Sequence, residues 1–101
     1  MQHVRLATYG INKGTFQELA ETAKSGMLPR FQSQPGFVRY GLADLGDKTC
    51  MSISVWDTRA QAEAAAPVAA TWVGENIADR VELKNSSVGD LAFFQGVPAT
   101  V

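Results

Sequence analysis

The spacing of apolar residues changes along the chain between two periods, and this alternation limits the possible folds more than any other feature. Residues 3–11 alternate with period two and carry branched and aromatic side chains, which predicts a strand. The spacing becomes helical from Thr15, a natural N-cap with Glu18 three residues later, as in a capping box. Pro29 is expected to kink or shorten the last turn, and residues 34–36 (Gln-Pro-Gly) to end the helix.

The middle of the chain has the pattern of a β-hairpin. Residues 37–45 and residues 48–56 each alternate with period two, and only a short turn at Gly46-Asp47 separates them. Because so short a connection joins neighbouring antiparallel strands, we expect these two strands to pair with each other.

A second helical region is predicted directly after the hairpin. Thr58 and Gln61 match another capping box, and the alanine-rich run 60–66 favours a helix. Proline interrupts a helix but suits the first position of a new one, so we expect a break at Pro67 and a longer helix to about Leu83. The expected apolar stripe of this longer helix, with Trp72 to one side, is Ala70, Val73, Ile77 and Val81.

The chain closes with a predicted strand over residues 88–97, after Asn85-Ser86-Ser87. The resulting order, β-α-β-β-α-β, is that of the ferredoxin-like α+β fold, a four-stranded antiparallel sheet with helices on one face. The breaks between elements are short, so a single domain over residues 1–101 is expected.

Both faces of the predicted sheet are rich in apolar side chains, although helices cover only one of them. The first face is expected to carry Val4, Leu6, Thr8, Val38, Tyr40, Leu42, Met51, Ile53, Val55, Leu91 and Phe93. The second is expected to carry His3, Arg5, Ala7, Tyr9, Phe37, Arg39, Gly41, Cys50, Ser52, Ser54, Trp56, Asp90, Ala92 and Phe94. The first set suits a dry contact between sheets, and the second suits the wall of a ligand pocket under the helices.

These faces predict a homodimer. A domain of about 100 residues buries only about two-thirds of its unfolded surface, and a large apolar patch on such a domain is typical of an interface. We therefore expect one sheet face to pack on a second copy of the chain, and the pattern leaves open which face does so.

Composition excludes several other partners. The chain has 9 Lys and Arg against 10 Asp and Glu with no basic block, so nucleic-acid binding is not expected. It has no apolar run of the length that a membrane helix needs and no signal-peptide core, so we expect a cytoplasmic protein without a membrane partner. Cys50 is the single cysteine, which excludes an intrachain disulfide, and no residues show metal-ligand spacing.

Four stretches, together with the element order, resemble the antibiotic biosynthesis monooxygenase domain of the dimeric α+β barrel superfamily. They are Gln34-Pro35-Gly36-Phe37-Val38, Val55-Trp56-Asp57-Thr58, the helix over 59–82 and the last strand around Phe93-Phe94. The resemblance implies a homodimer of two packed sheets, with a pocket in each subunit between sheet and helices. It implies either a quinol-forming monooxygenase that acts on polycyclic aromatic molecules without metal, flavin or haem, or a haem-degrading enzyme.

Trp56 matches the tryptophan that the family has at the end of the third strand, where it borders the pocket. Haem-degrading relatives also use an asparagine in the first strand, where this chain has Ala7, and a histidine on the helix after the tryptophan. Residues 58–84 contain no histidine, and the single one in the chain is His3. These departures disfavour haem degradation and also remove an obvious general base.

The candidate pocket residues are Trp56, Arg39, Tyr9, Arg5, Phe94, Ser54, Trp72 and Asn76. Trp56 is a candidate for stacking on a flat aromatic substrate or for a structural role in the core. Either Arg39 or Arg5 could anchor a phenolate or carboxylate; alternatively, each pairs with Asp90 or is exposed at a sheet edge.

The remaining candidates have weaker chemistry. Tyr9 could donate a hydrogen bond to a substrate carbonyl or could simply pack. Trp72 could close the mouth of the cleft or pack on the neighbouring helix, and Asn76, one turn further, offers a polar contact.

The sequence thus predicts a cofactor-independent monooxygenase acting on a small aromatic, quinol- or anthrone-type substrate. Two alternatives remain: a non-catalytic module that binds small molecules on the same dimeric barrel, and an isomerase- or lyase-like relative.

Overall fold

The order of elements agrees with the prediction. A computed structural model describes residues 1–96, which form β1 (His3–Ile11), α1 (Phe16–Gln32), β2 (Phe37–Gly46), β3 (Thr49–Trp56), α2 (Arg59–Asn76) and β4 (Val81–Asp90). The four strands make one sheet in the order β2-β3-β1-β4, and every neighbouring pair is antiparallel. The ferredoxin-like α+β fold is therefore confirmed.

Both predicted capping boxes are present. The Glu18 backbone N–H donates to Thr15 Oγ1 over 3.1 Å, and the Thr15 N–H donates to Glu18 Oε1 over 3.0 Å. At the start of α2, the Thr58 N–H donates to Gln61 Oε1 over 3.1 Å, and the Gln61 N–H donates to Thr58 Oγ1 over 3.2 Å. Each box satisfies two amide groups that the first helical turn would otherwise leave unpaired.

The predicted break at Pro67 is wrong. α2 runs without interruption from Arg59 to Asn76 and ends well before Leu83. Pro67 is exposed and lies in an alanine-rich segment, so the strong helix propensity of the segment outweighs the loss of one N–H donor. Pro29 also lies inside its helix, since α1 continues to Gln32.

The predicted position of the last strand is wrong as well. β4 begins at Val81 and ends at Asp90, whereas residues 91–96 form no strand and residue 97 lies outside the described residues. β4 is an edge strand with mostly exposed side chains, including the Asn85-Ser86-Ser87 run that we interpreted as the end of a helix. An exposed edge strand needs no apolar alternation, because pairing with β1 supplies its backbone hydrogen bonds.

The second of the two predicted faces lies under the helices in the central strands. Arg5 is opposite Ser54, Ala7 is opposite Ser52 and Tyr9 is opposite Cys50, and all six residues are buried. This settles the question left open by the pattern: the mixed face packs against the helices, and the more apolar face of β1 and β3 points away from them.

β2 departs from this parity because its pairing with β3 shifts between Phe37 and Arg39. Beyond the shift, Tyr40 lies opposite Ser54 on the helix-covered face, while Arg39 lies opposite Val55 on the other face. Our assignment of Arg39 to the face of Trp56 is therefore wrong, since an irregularity of one residue exchanges the two sides of a strand.

Aromatic side chains fill one end of the core. Phe31 of α1 makes edge-on contacts with Tyr40 and Trp56, with ring centroids 5.2 Å and 5.4 Å apart, and Phe37 meets Trp56 at 5.5 Å. The Trp56 indole N–H donates to Ser54 Oγ over 2.9 Å, which satisfies its polar atom inside the core. Burial raises the pKa of Tyr40 to about 12, although a hydrogen bond with Ser52 acts in the opposite direction.

The two helices approach closely where Gly26 of α1 meets Trp72 of α2. A Cβ added to Gly26 would lie 2.5 Å from Trp72 Cζ2, so the indole occupies the space that a side chain at Gly26 would need. Trp72 is only 5% exposed and belongs to the core, together with Ala62, Ala65 and Ala69 of the same helix. The predicted stripe with Trp72 beside it is therefore wrong.

Gly36 joins the start of β2 to the start of α2. Its φ is +79°, a left-handed conformation that favours glycine, and its carbonyl accepts a hydrogen bond from the Asp57 N–H over 2.9 Å. The Gln61 side chain lies directly against the Gly36 Cα, where no Cβ could fit. The Pro35-Gly36-Phe37 turn and the capping box of α2 therefore form one structural junction.

We expect Gly36→Ala to lower the free energy of unfolding by about 2–3 kcal/mol, from left-handed strain and displacement of the capping Gln61 side chain. Gly46→Ala is the matched control, because Gly46 has a φ of +80° and open space around it. It should cost only about 1 kcal/mol, from strain alone. Urea denaturation measures both values, and equal losses in the two variants would contradict the steric role of Gly36.

We also expect Tyr40 to make the protein alkali-sensitive. In the unfolded chain this phenol ionises near its ordinary pKa of 10.0, whereas the folded chain keeps the proton to about 12. The unfolded state therefore binds fewer protons between these values, and stability falls as pH rises through them. The Tm difference between the wild type and Tyr40→Phe, followed from about pH 8 to pH 11.5, should shift in favour of the variant above pH 10. A difference that stays constant with pH would contradict this.

Candidate functional site

A cleft of about 510 Å³ separates the middle of α2 from the neighbouring strands β1 and β4. Its lining consists of Arg5, Tyr9, Ala66, Pro67, Ala70, Val73, Gly74, Ala78 and Leu83. This volume lies in the range of sites for small organic molecules, and the lining is apolar apart from two side chains of β1.

The cleft exists because the helical wall is made of short side chains. Ala66, Ala70 and Gly74 follow one another at intervals of four residues, so they share one face of α2, and Ala78 lies in the turn after the helix. The larger side chains of α2, above all Trp72, point into the core. The helix therefore packs tightly against α1 and leaves space above β1 and β4.

Arg5 supplies the charge of the cleft. It occupies the third position of β1 on the helix-covered face, between Ser54 of β3 and Val88 of β4, and is only 3% exposed. Its Nε is buried without a hydrogen-bond partner, and no ion pair involves Arg5 within residues 1–96. A buried guanidinium without a counter-charge is costly, so it marks this wall of the cleft as the place where an anion would be stabilised.

Tyr9 lies four residues after Arg5 in β1, on the same face of the strand, and offers the second polar group of the cleft. It also lines an internal cavity of about 30 Å³, which lies under both helices and is bordered by Tyr40, Ser52 and Trp72. That volume holds about one water molecule, so the internal cavity is too small for an organic ligand.

Trp56 and Ser54 lie inside the core rather than at the surface of the cleft. Trp56 is 1% exposed and is enclosed by Phe31 and Phe37, while the hydroxyl of Ser54 accepts the indole N–H. Of the eight residues suggested by the sequence, Arg5 and Tyr9 line the cleft, and Ser54 lies next to Arg5 in the sheet.

Two further candidates lie on the opposite side of the sheet. The Arg39 guanidinium lies over the Phe94 ring, with the Cζ atom 5.8 Å from the ring centroid. Phe94 follows β4 and is 64% exposed. The arrangement is a cation–π contact on the uncovered face, and it separates both side chains from Trp56.

The last two candidates serve the helix itself. Asn76 Nδ2 donates to the Trp72 carbonyl oxygen over 2.9 Å and so satisfies a backbone group in the final turn of α2. Trp72 fills the gap above Gly26, as described above. Sequence reasoning missed the small residues that form the helical wall, although their spacing of four residues was visible in the sequence.

A polar cluster lies at the other end of the strand pair, outside the cleft. His3 Nδ1 lies 2.7 Å from Asp90 Oδ1, and the same oxygen accepts a hydrogen bond from Arg59 over 3.2 Å. The hydrogen bond with His3, followed by that with Arg59, holds the pKa of Asp90 below its ordinary value.

Burial, with Asp44 contributing, raises the pKa of the Cys50 thiol, so this thiol is not an activated nucleophile.

The described residues contain neither a metal-binding cluster nor a membrane-spanning helix. Residues 1–96 contain no group of three or more His, Cys, Asp or Glu side chains arranged to hold a metal ion. Neither helix in this part of the chain is long and apolar enough to cross a membrane.

Comparison by sequence gives no relative: no protein-family model and no curated protein sequence matches the chain. Comparison by structure gives several. A protein of unknown function from Nitrosomonas europaea superposes with a TM-score of 0.71 at 21% identity, covering 99% of this chain and 98% of its own.

Two other solved structures have a described activity. SnoaB from Streptomyces nogalater, a cofactor-independent oxygenase, matches with a TM-score of 0.59 at 20% identity over 97% of this chain and 98% of its own. A heme-degrading protein from Mycobacterium tuberculosis matches with a TM-score of 0.64 at 17% identity over 95% of this chain and 100% of its own.

Proposed antibiotic biosynthesis monooxygenases from Nitrosomonas europaea and Chloroflexus aurantiacus are among the other matches. At these identities, a structural match establishes the fold and leaves the chemistry to the side chains of the site. The resemblance drawn from the sequence is thus confirmed at the level of the fold: the chain has the ferredoxin-like α+β fold of structures of the antibiotic biosynthesis monooxygenase type.

Proposed function

We propose that the protein binds a small, electron-rich aromatic molecule in the cleft under α2 and oxygenates it without a cofactor. The observation that carries this proposal is the buried, unpaired Arg5 at the wall of an apolar cleft. The shared fold of a cofactor-independent oxygenase gives further support.

In the proposed reaction, the substrate supplies all the electrons. Arg5 binds the phenol or enol oxygen as its anion, and the negative charge spreads to a ring carbon that carries two hydrogens in the keto form. That carbon reduces O₂ and bonds to one of its oxygen atoms, which gives a hydroperoxide after protonation. Loss of water then leaves a carbonyl, so one CH₂ group and O₂ become one C=O group and H₂O.

The protein contributes charge stabilisation and exclusion of water. The apolar lining of the cleft keeps solvent from the guanidinium, which strengthens its attraction for the developing anion. Tyr9 also lines the cleft, and in the proposed reaction it donates a hydrogen bond to a second oxygen of the substrate. Within residues 1–96, no His, Asp, Glu or Lys lines the cleft, so in this proposal the proton of the substrate passes to solvent and the rate rises with pH until the bound substrate is ionised.

The same lining favours a second candidate function, binding without turnover. A cleft with one cation and no general base holds an aromatic anion and need not transform it. An isomerase- or lyase-like reaction would use the same stabilised carbanion but would not consume O₂.

We expect anthrone- and naphthol-type compounds to cause O₂ uptake with one O₂ consumed per carbonyl formed. Arg5→Met should lower kcat/KM about 100-fold, because it removes the group that stabilises the anion. Arg30→Met is the control: Arg30 forms an exposed ion pair with Glu75, and neither residue lines the cleft, so its removal should leave the rate unchanged.

An oxygen electrode and product analysis separate the candidates. Tight binding without O₂ uptake would identify a binding module, and a rearranged product formed without O₂ would identify an isomerase or lyase. Since a heme-degrading protein shares the fold, hemin is tested in parallel. We expect no shift of the Soret band, because the cleft lining offers no histidine to the iron.

The homodimer stays a prediction, and the partner that we propose for the uncovered sheet face is a second copy of the chain. The central strands carry partly exposed Val4, Leu6 and Ile53 there, with no charged residue between them along β1 on that face. Light scattering at micromolar concentration should give twice the mass of the chain. Leu6→Lys should shift the protein to the monomer, and a monomeric wild type would overturn the prediction.

A further inference from the structure

We infer that the cleft selects ligands with a single negative charge, an apolar acid whose carboxylate or phenolate oxygen meets Arg5. This inference rests on the proposed function for the location of the site. The charge requirement itself does not depend on turnover, so it is tested by binding.

Burial of the Arg5 guanidinium is costly when no ligand is bound. An arginine that is only 3% exposed, as Arg5 is, normally forms ion pairs or several hydrogen bonds, because a charge loses its hydration on burial. Arg5 has no acidic partner within residues 1–96, and its Nε has no acceptor. A bound anion would supply the counter-charge and the hydrogen-bond acceptor that Arg5 lacks within residues 1–96.

The residues beside Arg5 in the sheet provide no counter-charge. Ser54, beside Arg5 in the sheet, already accepts the Trp56 indole N–H with its hydroxyl oxygen. The next residue in the same row is Tyr40, whose pKa of about 12 keeps it neutral at physiological pH. These two neighbours are uncharged, and no side chain within residues 1–96 pairs with Arg5 as a counter-ion.

The cationic groups in the lining indicate how many negative charges the ligand carries. Among the described residues, Arg5 is the single cationic side chain in the lining, and Tyr9 adds one hydroxyl donor. Phosphate dianions are usually held by several cations or by a cluster of backbone N–H groups, neither of which lines this cleft. One guanidinium matches one carboxylate or phenolate.

The walls of the cleft indicate the shape of the uncharged part of the ligand. Ala66, Ala70 and Gly74 of α2, with Ala78 in the turn after it, make this wall low along its length, and Leu83 of β4 adds an apolar side chain. A flat ring system fits a slot between such walls better than a branched chain does. The ligand class is therefore an aromatic monoanion with its charged end at β1.

The test compares 2-naphthoate with the isosteric neutral 2-naphthamide by titration calorimetry. We expect the wild type to bind the acid at least about 30-fold more tightly, as expected for a desolvated charge pair. Arg5→Met should lose this preference while still binding the amide, Arg5→Lys should keep part of it, and Arg30→Met should keep all of it. Equal affinity of the wild type for acid and amide would overturn the inference.

Two further ligands separate the sources of the anion. 2-Naphthol changes its absorption spectrum on ionisation, and we expect its apparent pKa to fall on binding to the wild type but not to Arg5→Met. 2-Naphthyl phosphate should bind more weakly than 2-naphthoate. Tighter binding of the phosphate would overturn the assignment of a single charge.

The stability of the free variant tests the same point without any ligand. If Arg5 is kept for a ligand, replacing it by the uncharged Met should leave the Tm unchanged or raise it, because an unpaired buried charge is removed. A large fall in Tm would show that Arg5 serves the fold and would overturn the inference. Charge-selective binding without O₂ uptake would leave this inference standing and remove only the proposed oxygenase.

Discussion

The structure depends on the junction at which β2 begins, β3 ends and α2 starts. The Asp57 N–H donates to the Gly36 carbonyl, and the Gln61 side chain caps α2 while it covers the Gly36 Cα. Trp56, one residue before this hydrogen bond, is thereby fixed between the sheet and α1. The junction sets where α2 leaves the sheet, and the path of α2 in turn determines which of its side chains enter the core and which border the cleft.

The residues that build the scaffold are therefore different from the residues that face the cleft. The proline-glycine-phenylalanine turn and the tryptophan of the third strand, on which the resemblance to the monooxygenase family rests, build the junction and the aromatic core. The groups that face the cleft are Arg5 and Tyr9 on one side and small residues of α2 on the other. Structures with the same fold include an oxygenase and a heme-degrading protein, which accords with motifs that preserve the scaffold while the lining changes.

Much of the fold could be predicted because β1, α1 and the β2–β3 hairpin obey simple periodicities and end at residues with clear capping or turn chemistry. Arg5 could be placed correctly for the same reason, since β1 is regular through that position. Arg39 could not, because the irregularity before it exchanges the two faces of β2 and no residue type signals it. β4 was misplaced because an exposed edge strand lacks apolar alternation, and the helical wall of the cleft was missed because small side chains carry no chemistry of their own.

The spacing of that wall has a consequence for how such a site changes over generations. Ala66, Ala70 and Gly74 are about 6 Å apart along the axis of α2, so they mark two intervals of similar length along the slot. A methyl or isopropyl group gained at any one of them would shorten the slot from a defined point without moving the backbone or touching Arg5. Single substitutions on this wall would thus change the length of ligand that the cleft accepts, while the charged end of the ligand stays bound to Arg5.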